Sequence, residues 1–189
     1  MRMSICLVTV ALVATSACGK SATSPSASPS TLNVILKDSP FSDAKALLVT
    51  FSTVSAHITG GDFVTLPFSG GATSRTCDLK KLATATDVLG TGTMTTGHYT
   101  QLRLVVSSAT LYFDNGSSGT ACAPTISAPA GQSAAVTIPS GEVILNREFD
   151  VTSSGATTIT LDFDGDQSVK ATGNGQYIMT PVITVVSVQ

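Results

Sequence analysis

Tryptophan is absent from the 189 residues, and histidine occurs only twice, at His57 and His98. A centre built on several imidazoles therefore has too few ligands to draw on. Charge is scarce as well: Asp, Glu, Lys and Arg make up 12% of the chain, about half the usual quarter. The balance of 10 basic and 12 acidic residues gives −2, which leaves no basic footprint for nucleic acid. No apolar run reaches the ~20 residues of a membrane-spanning helix. What the chain does have is hydroxyls: Ser (24) and Thr (28) fill 52 positions. With hydrophobic residues at 42%, a core can form, so wholesale disorder is excluded. Abundant Thr and few long helix-forming side chains point to an all-β domain rather than a helical bundle.

The first 17 residues have the form of a secretory signal peptide. A basic start at Arg2 precedes a short apolar core, Ile5 to Val13, and small residues lead to a cut between Ala17 and Cys18. The segment Thr15-Ser16-Ala17-Cys18 resembles a bacterial lipobox, with Thr15 where Leu is usual. On that reading Cys18 takes a diacylglycerol, and two or three acyl chains hold the domain on a membrane. The alternative is an ordinary secreted or periplasmic protein cut at the same bond. Gly19 follows the cysteine instead of the Asp that marks inner-membrane retention, which favours the outer membrane or cell surface. Residues 18–30, with the Ser- and Pro-rich stretch GKSATSPSASPS, form a solvated tether to a domain spanning 31–189.

Cysteine use fits export. Cys6 lies in the removed segment and Cys18 takes the lipid, so Cys77 and Cys122 are left as a pair in an oxidising setting. A Cys77–Cys122 disulfide is expected, with two buried thiols as the alternative. No ligand spacing supports a metal pair there.

The remainder reads as short strands in a single β-sandwich. Leu32, Val34 and Leu36 alternate; Leu47, Val49 and Phe51 alternate, and then Val54, Ala56 and Ile58 do so one residue out of phase, which predicts a bulge near Ser52-Thr53. Residues 78–88 break the pattern and suggest a short helix facing inward through Leu79, Leu82 and Val88. Residues 98–113 hold two strands' worth of alternation. Residues 143–151 and 156–163 suggest a hairpin, and 176–188, apolar on both faces apart from Pro181, suggests a central buried strand. Eight to ten strands with frequent turns are expected.

The order of motifs identifies a family resemblance. Lys37-Asp38-Ser39-Pro40, AKALLVTFSTVSAH, TGHYTQLRLVV, TTITLDFDGDQSV and TGNGQYIMTPVITVV follow one another as in the bacterial and archaeal domain of unknown function 4382. Ser39 and Thr180 replace the family's usual Ala and Lys. The resemblance implies a lipoprotein-borne β-sandwich of transthyretin-like or carbohydrate-binding-like type, and no reaction.

Candidate chemistry is sparse. Asp162, Asp164 and Asp166 in LDFDGDQ, joined by Asp38, offer oxygen ligands for Ca²⁺; the alternative is a solvent-facing pair with a turn at Gly165. His57 and His98 are expected at turns or on the surface. Arg103, placed by alternation beside Tyr99 and Gln101, offers a sugar or carboxylate contact or an ordinary ion pair. The aromatic platforms that glycans favour are limited to Tyr99, Tyr112 and Tyr177. No nucleophile elbow, zincin or phosphate-loop motif is present. The expectation is a non-catalytic, envelope-exposed binding or structural module without a cofactor. It would be held to the membrane through Cys18 and contact a glycan or envelope protein, not nucleic acid. A calcium-stabilised adhesion or carbohydrate-binding domain is the alternative, and an envelope hydrolase is a third.

Overall fold

A computed structural model describes residues 29–39, 41–153 and 155–189. The expected signal segment, Cys18 and all but the end of the expected tether lie outside the described residues. In chain order the elements are β1 (Pro29–Ser39), β2 (Ala46–Ile58), β3 (Phe63–Leu66), β4 (Arg75–Asp78), α1 (Leu79–Leu82), β5 (Asp87–Thr95), β6 (Gly97–Tyr112), β7 (Cys122–Ala123), β8 (Ser133–Thr137), β9 (Glu142–Val151), β10 (Ala156–Asp164), α2 (Gly165–Ser168), β11 (Val169–Gly173), β12 (Gln176–Met179) and β13 (Ile183–Val188). The chain is all-β, as its composition predicts, and its strands form two sheets.

The smaller sheet has the order β13-β10-β1-β5, with β1 and β10 parallel. The larger runs β11-β12-β8-β6-β2-β4-β7, with β3 beside β2 and β9 beside β6. Alternation decides which side chains lie between the sheets. Leu32, Val34 and Leu36 from β1 and Ile159, Leu161 and Phe163 from β10 meet Leu47, Val49, Phe51, Val54, Leu102 and Leu104 from the larger sheet in one core. Phe51 and Phe163 span the two sheets edge-to-face, ring centroids 6.3 Å apart. The predicted bulge is present: the β2–β6 register shifts on both sides of Phe51, so Val54 and Ala56 resume the inward phase.

Two further links join the sheets at the β5 edge, one through the segment after β3 and one through the Arg75–Asp87 pair beside the disulfide of the larger sheet. The segment after β3 folds over that edge, with the Thr91 N–H donating to Pro67 O at 3.1 Å and a bridge between Phe68 and Gly90. The Cys77–Cys122 disulfide pins β4 to β7, whose residues lie directly opposite, with Cα atoms 4.1 Å apart. Beside it Arg75 donates to Asp87 at 3.0 Å and to Cys122 O, while the Cys122 N–H donates to the other Asp87 oxygen.

Several expectations need correction. There are 13 strands among the described residues rather than eight to ten, because short pieces such as Cys122–Ala123 pair independently. Strand β1 begins at Pro29, two residues before Thr31. The helix near 78–88 is only the four residues of α1, capped by Asp78, whose carboxylate accepts from the Lys80 N–H; Leu79 and Leu82 are buried as expected, but Leu89 replaces Val88 as the inward residue of the following strand. Residues 98–113 give one long strand, β6, which runs from Gly97 to Tyr112 and leaves Phe113 just beyond its end. Strands β9 and β10 are not a hairpin, since β9 pairs with β6 and β10 with β1 and β13. Residues 176–188 are two strands in different sheets, and β13 is an edge. Pro181, which lacks an N–H, lies between them.

Candidate functional site

The acidic residues converge less than their spacing suggests. Asp38 is in phase with the core residues of β1 and opposite Phe163 of β10, so its carboxyl lies on the core side at the end of the sandwich. One oxygen accepts from the Gly165 N–H at 3.1 Å; the other is buried without a hydrogen-bond partner. Burial, reinforced by the Asp162 and Asp164 charges and opposed by the Gly165 hydrogen bond and Lys80, raises its pKa from 3.8 to about 8. Asp38 lines a shallow depression of about 390 Å³ with Lys37 and residues 82–86. Asp162, on the opposite face of the sheet, takes the Lys37 ammonium at 2.7 Å. Asp164 caps α2 by accepting from the Gln167 N–H at 2.9 Å, and Asp166 accepts from the Ser42 N–H at 3.3 Å. The expected turn at Gly165 is thus a short helix. Among the described residues no three His, Cys, Asp or Glu side chains are placed to hold a metal ion. The calcium expectation for Asp38, Asp162, Asp164 and Asp166 is corrected accordingly: strand alternation sends the carboxyls to different faces, and a lysine already neutralises Asp162.

The outward face of the larger sheet carries the other sequence candidates. His57 and Phe63 lie opposite one another on β2 and β3, with ring centroids 5.0 Å apart, and His57 Nδ1 bonds the Thr100 hydroxyl at 3.0 Å. The Arg103 guanidinium sits over the Phe63 ring, 3.9 Å from its centroid, and its Nε lies 3.5 Å from Glu142. Gln101 donates to Asn146 at 2.8 Å. Phe63, which holds the arginine flat on the sheet, escaped sequence reading because one residue of a four-residue strand shows no period. Tyr99 is not beside Arg103. A register shift between Tyr99 and Gln101 turns it inward, where it is fully buried, stacks on Phe149 at 5.3 Å and donates its hydroxyl to Thr95 O. Burial pushes its phenol pKa up. His98 is at the exposed start of β6, 2.8 Å from Asp150.

Of the remaining tyrosines, Tyr112 is half-buried at the end of β6, whereas Tyr177 opens onto a groove of about 220 Å³ lined by Phe113, Gln132, Ser133, Ala134 and Gly175. The Phe113 and Tyr177 rings are 5.8 Å apart and inclined at 36°, and buried Phe41 meets Tyr177 edge-on at 6.3 Å. Phe113 and Tyr177 come from distant parts of the chain, so the spacing that betrays a motif is absent.

Comparison with family models matches residues 29–181 to the domain of unknown function (DUF4382). The chain belongs to this family. That assignment agrees with the resemblance read from the motif order and brings no reaction with it. Comparison with curated proteins and with solved structures gave no match. Among the described residues no helix is long and apolar enough to cross a membrane.

Proposed function

We propose that this DUF4382 domain is a lipid-anchored, non-catalytic binding module of the bacterial envelope, displayed on its Ser/Pro tether from an acylated Cys18. The observation that carries the non-catalytic part is the engagement of each candidate acid–base group in a structural bond. His57 holds Thr100, His98 holds Asp150, and Asp38 faces Gly165 from inside the fold. None of these pairs presents a nucleophile with a base and an orienting group behind it. The Arg103–Phe63–His57 face and the Phe113–Tyr177 groove, by contrast, present side chains held in place without help from a ligand. The anchor rests on the lipobox-like Thr15-Ser16-Ala17-Cys18 and the stretch that follows. A calcium-stabilised adhesion domain has less support, because Lys37 already neutralises Asp162. An envelope hydrolase has less support for the reasons given for the histidines and Asp38.

Metabolic labelling with palmitate tests the anchor. Label should enter the full chain, disappear in Cys18→Ala, and follow the protein into the membrane fraction. An unlabelled, freely soluble product with an unmodified Cys18 would overturn the anchoring, and turnover of envelope polymers by the purified chain would overturn the non-catalytic reading.

A further inference from the structure

We propose that a groove at the β11 end of the larger sheet binds the carboxy-terminal residue of a peptide whose last side chain is aliphatic. The proposal rests on the binding-module reading and gives that module a ligand class. The groove, about 310 Å³, is lined by Gln167 and Ser168 of α2, Lys170 of β11, Ile178 of β12, and Thr180 and Val182 of the link that follows. Strand pairing puts the β11 and β12 residues on one face. Lys170 lies directly opposite Ile178, while their neighbours Val169 and Met179, also opposite one another, are buried in the core. Thr180 and Val182 keep the phase of Ile178 beyond the end of β12: both are exposed, whereas Met179 and Ile183 are buried.

The lining carries a single charge. Lys170 has no acid beside it in the groove and forms no ion pair or hydrogen bond among the described residues, whereas Lys37, Lys80 and Lys81 are each engaged. Val182 is one of three large apolar side chains exposed among the described residues, and with Ile178 it forms the apolar wall. An ammonium beside an aliphatic wall fits a ligand that carries a carboxylate next to a short hydrocarbon group. A small inorganic anion would leave the wall uncovered, and a purely apolar ligand would cover the ammonium without pairing it. The Gln167 amide and the Thr180 hydroxyl have no side-chain hydrogen bond either. They supply donors and acceptors for the amide that precedes the last residue of a peptide, which favours a peptide end over a simple aliphatic acid.

The volume lies at the lower end of the ~300–1,000 Å³ of small-molecule sites, so the groove takes one residue and leaves the rest of the peptide in solvent. Its backbone is fixed in advance. The Thr180 N–H donates to Ser168 O at 2.9 Å, and the buried Ser168 hydroxyl accepts from the Val182 N–H at 2.8 Å while donating to Asp164 O. Pro181, between the two anchored residues, has a ring-locked φ. The wall is therefore in place before a ligand arrives, and the ordering cost of binding falls mainly on the Lys170 side chain.

Calorimetry and saturation-transfer NMR on the purified full chain test the proposal, with acetyl-Gly-Leu, acetyl-Gly-leucinamide, acetyl-Gly-Gly and isovalerate as probes. Acetyl-Gly-Leu, offered with either configuration at its last residue, should bind with saturation on the leucine methyl protons. The amide, which lacks the charge, and the Gly-ended peptide, which lacks the aliphatic group, should each bind about tenfold more weakly, and so should isovalerate, which lacks the peptide group. Lys170→Gln should weaken acetyl-Gly-Leu about tenfold and Lys170→Arg should restore it. Lys45→Gln, the same change of charge at an exposed lysine outside the groove, should leave binding unchanged. Failure of acetyl-Gly-Leu to bind at millimolar concentration would overturn the site, as would equal binding of the amide or equal losses in Lys170→Gln and Lys45→Gln. Isovalerate binding as tightly as the peptide would overturn the peptide assignment. These outcomes are separate from the palmitate result: a labelled, membrane-held protein that ignores every probe loses the site and keeps the anchor.

Discussion

Asp38 and Gly165 meet across the parallel β1–β10 pair, the amide of one donating to a carboxyl oxygen of the other at 3.1 Å, while the second oxygen stays buried and unpartnered. This explains why burial outweighs the hydrogen bond and the carboxyl titrates near 8 rather than 3.8.

The direction of the consequence follows from that shift. Between these two values the folded chain keeps a proton that the unfolded chain has released, so the contribution of Asp38 to stability is complete below about pH 4 and is lost as pH rises towards 8. At about 1.4 kcal/mol per unit the full window is worth up to ~6 kcal/mol. Asp38→Asn, neutral at every pH, should flatten the profile and exceed the wild type in stability at pH 9. Urea melts at pH 5 and pH 9 check this, and parallel profiles for the two proteins would refute it.

The Cys77–Cys122 bond closes a loop with a sequence separation of 45, which the chain-entropy model values at up to about 4 kcal/mol. Reduction, or the double change Cys77→Ala with Cys122→Ala, should lower the urea midpoint accordingly. Non-reducing peptide mapping should recover the two cysteines in one linked fragment.

Asp87 accepts from both Arg75 and the Cys122 N–H, joining the β5 edge of one sheet to β4 and β7 of the other. Asp87→Ala strands a mostly buried guanidinium and an amide together, at a cost of about 2–4 kcal/mol. Asp87→Asn, which retains an acceptor for one of them, should lose less. Equal losses in thermal melts would show that the hydrogen bonds contribute nothing beyond packing.

Phe51→Ala removes the larger sheet's half of the Phe51–Phe163 contact and should destabilise by about 3–5 kcal/mol. In a double-mutant cycle with leucine at both positions, a coupling of ~0.5–1.5 kcal/mol is expected for the edge-to-face pair. Additive losses would assign the whole effect to buried area.

The strands that could be read from sequence were those whose phase is set locally. Leu47, Val49 and Phe51, followed by Val54 and Ala56, announce both a buried face and the slip between its halves, and Cys77 and Cys122, the two cysteines within the domain, announce the disulfide. What escaped is what distant chain segments decide. The short link from Val151 to Ala156 looks like a hairpin turn, yet it carries the chain from one sheet to the other, and no local pattern distinguishes the two. Met179 and Ile183 are both apolar and buried, so the break between them around Pro181 is hidden within a continuous hydrophobic run. Alternation alone puts Tyr99 beside Arg103, and a single register shift reverses its face. The acidic residues disperse for a related reason: alternation keeps Asp162 and Asp164 in phase but places Asp38, the neighbour of Lys37, on the other side of the sheet.

The interior position of β1 also governs how the domain bears load. It is bonded along its length to β10 on one side and to β5 on the other. A pull on Pro29 along the strand axis stretches both rows of hydrogen bonds in shear, so they must fail together instead of unzipping one by one. A domain gripped at its far end and drawn out from Pro29 would therefore resist extension at its first strand.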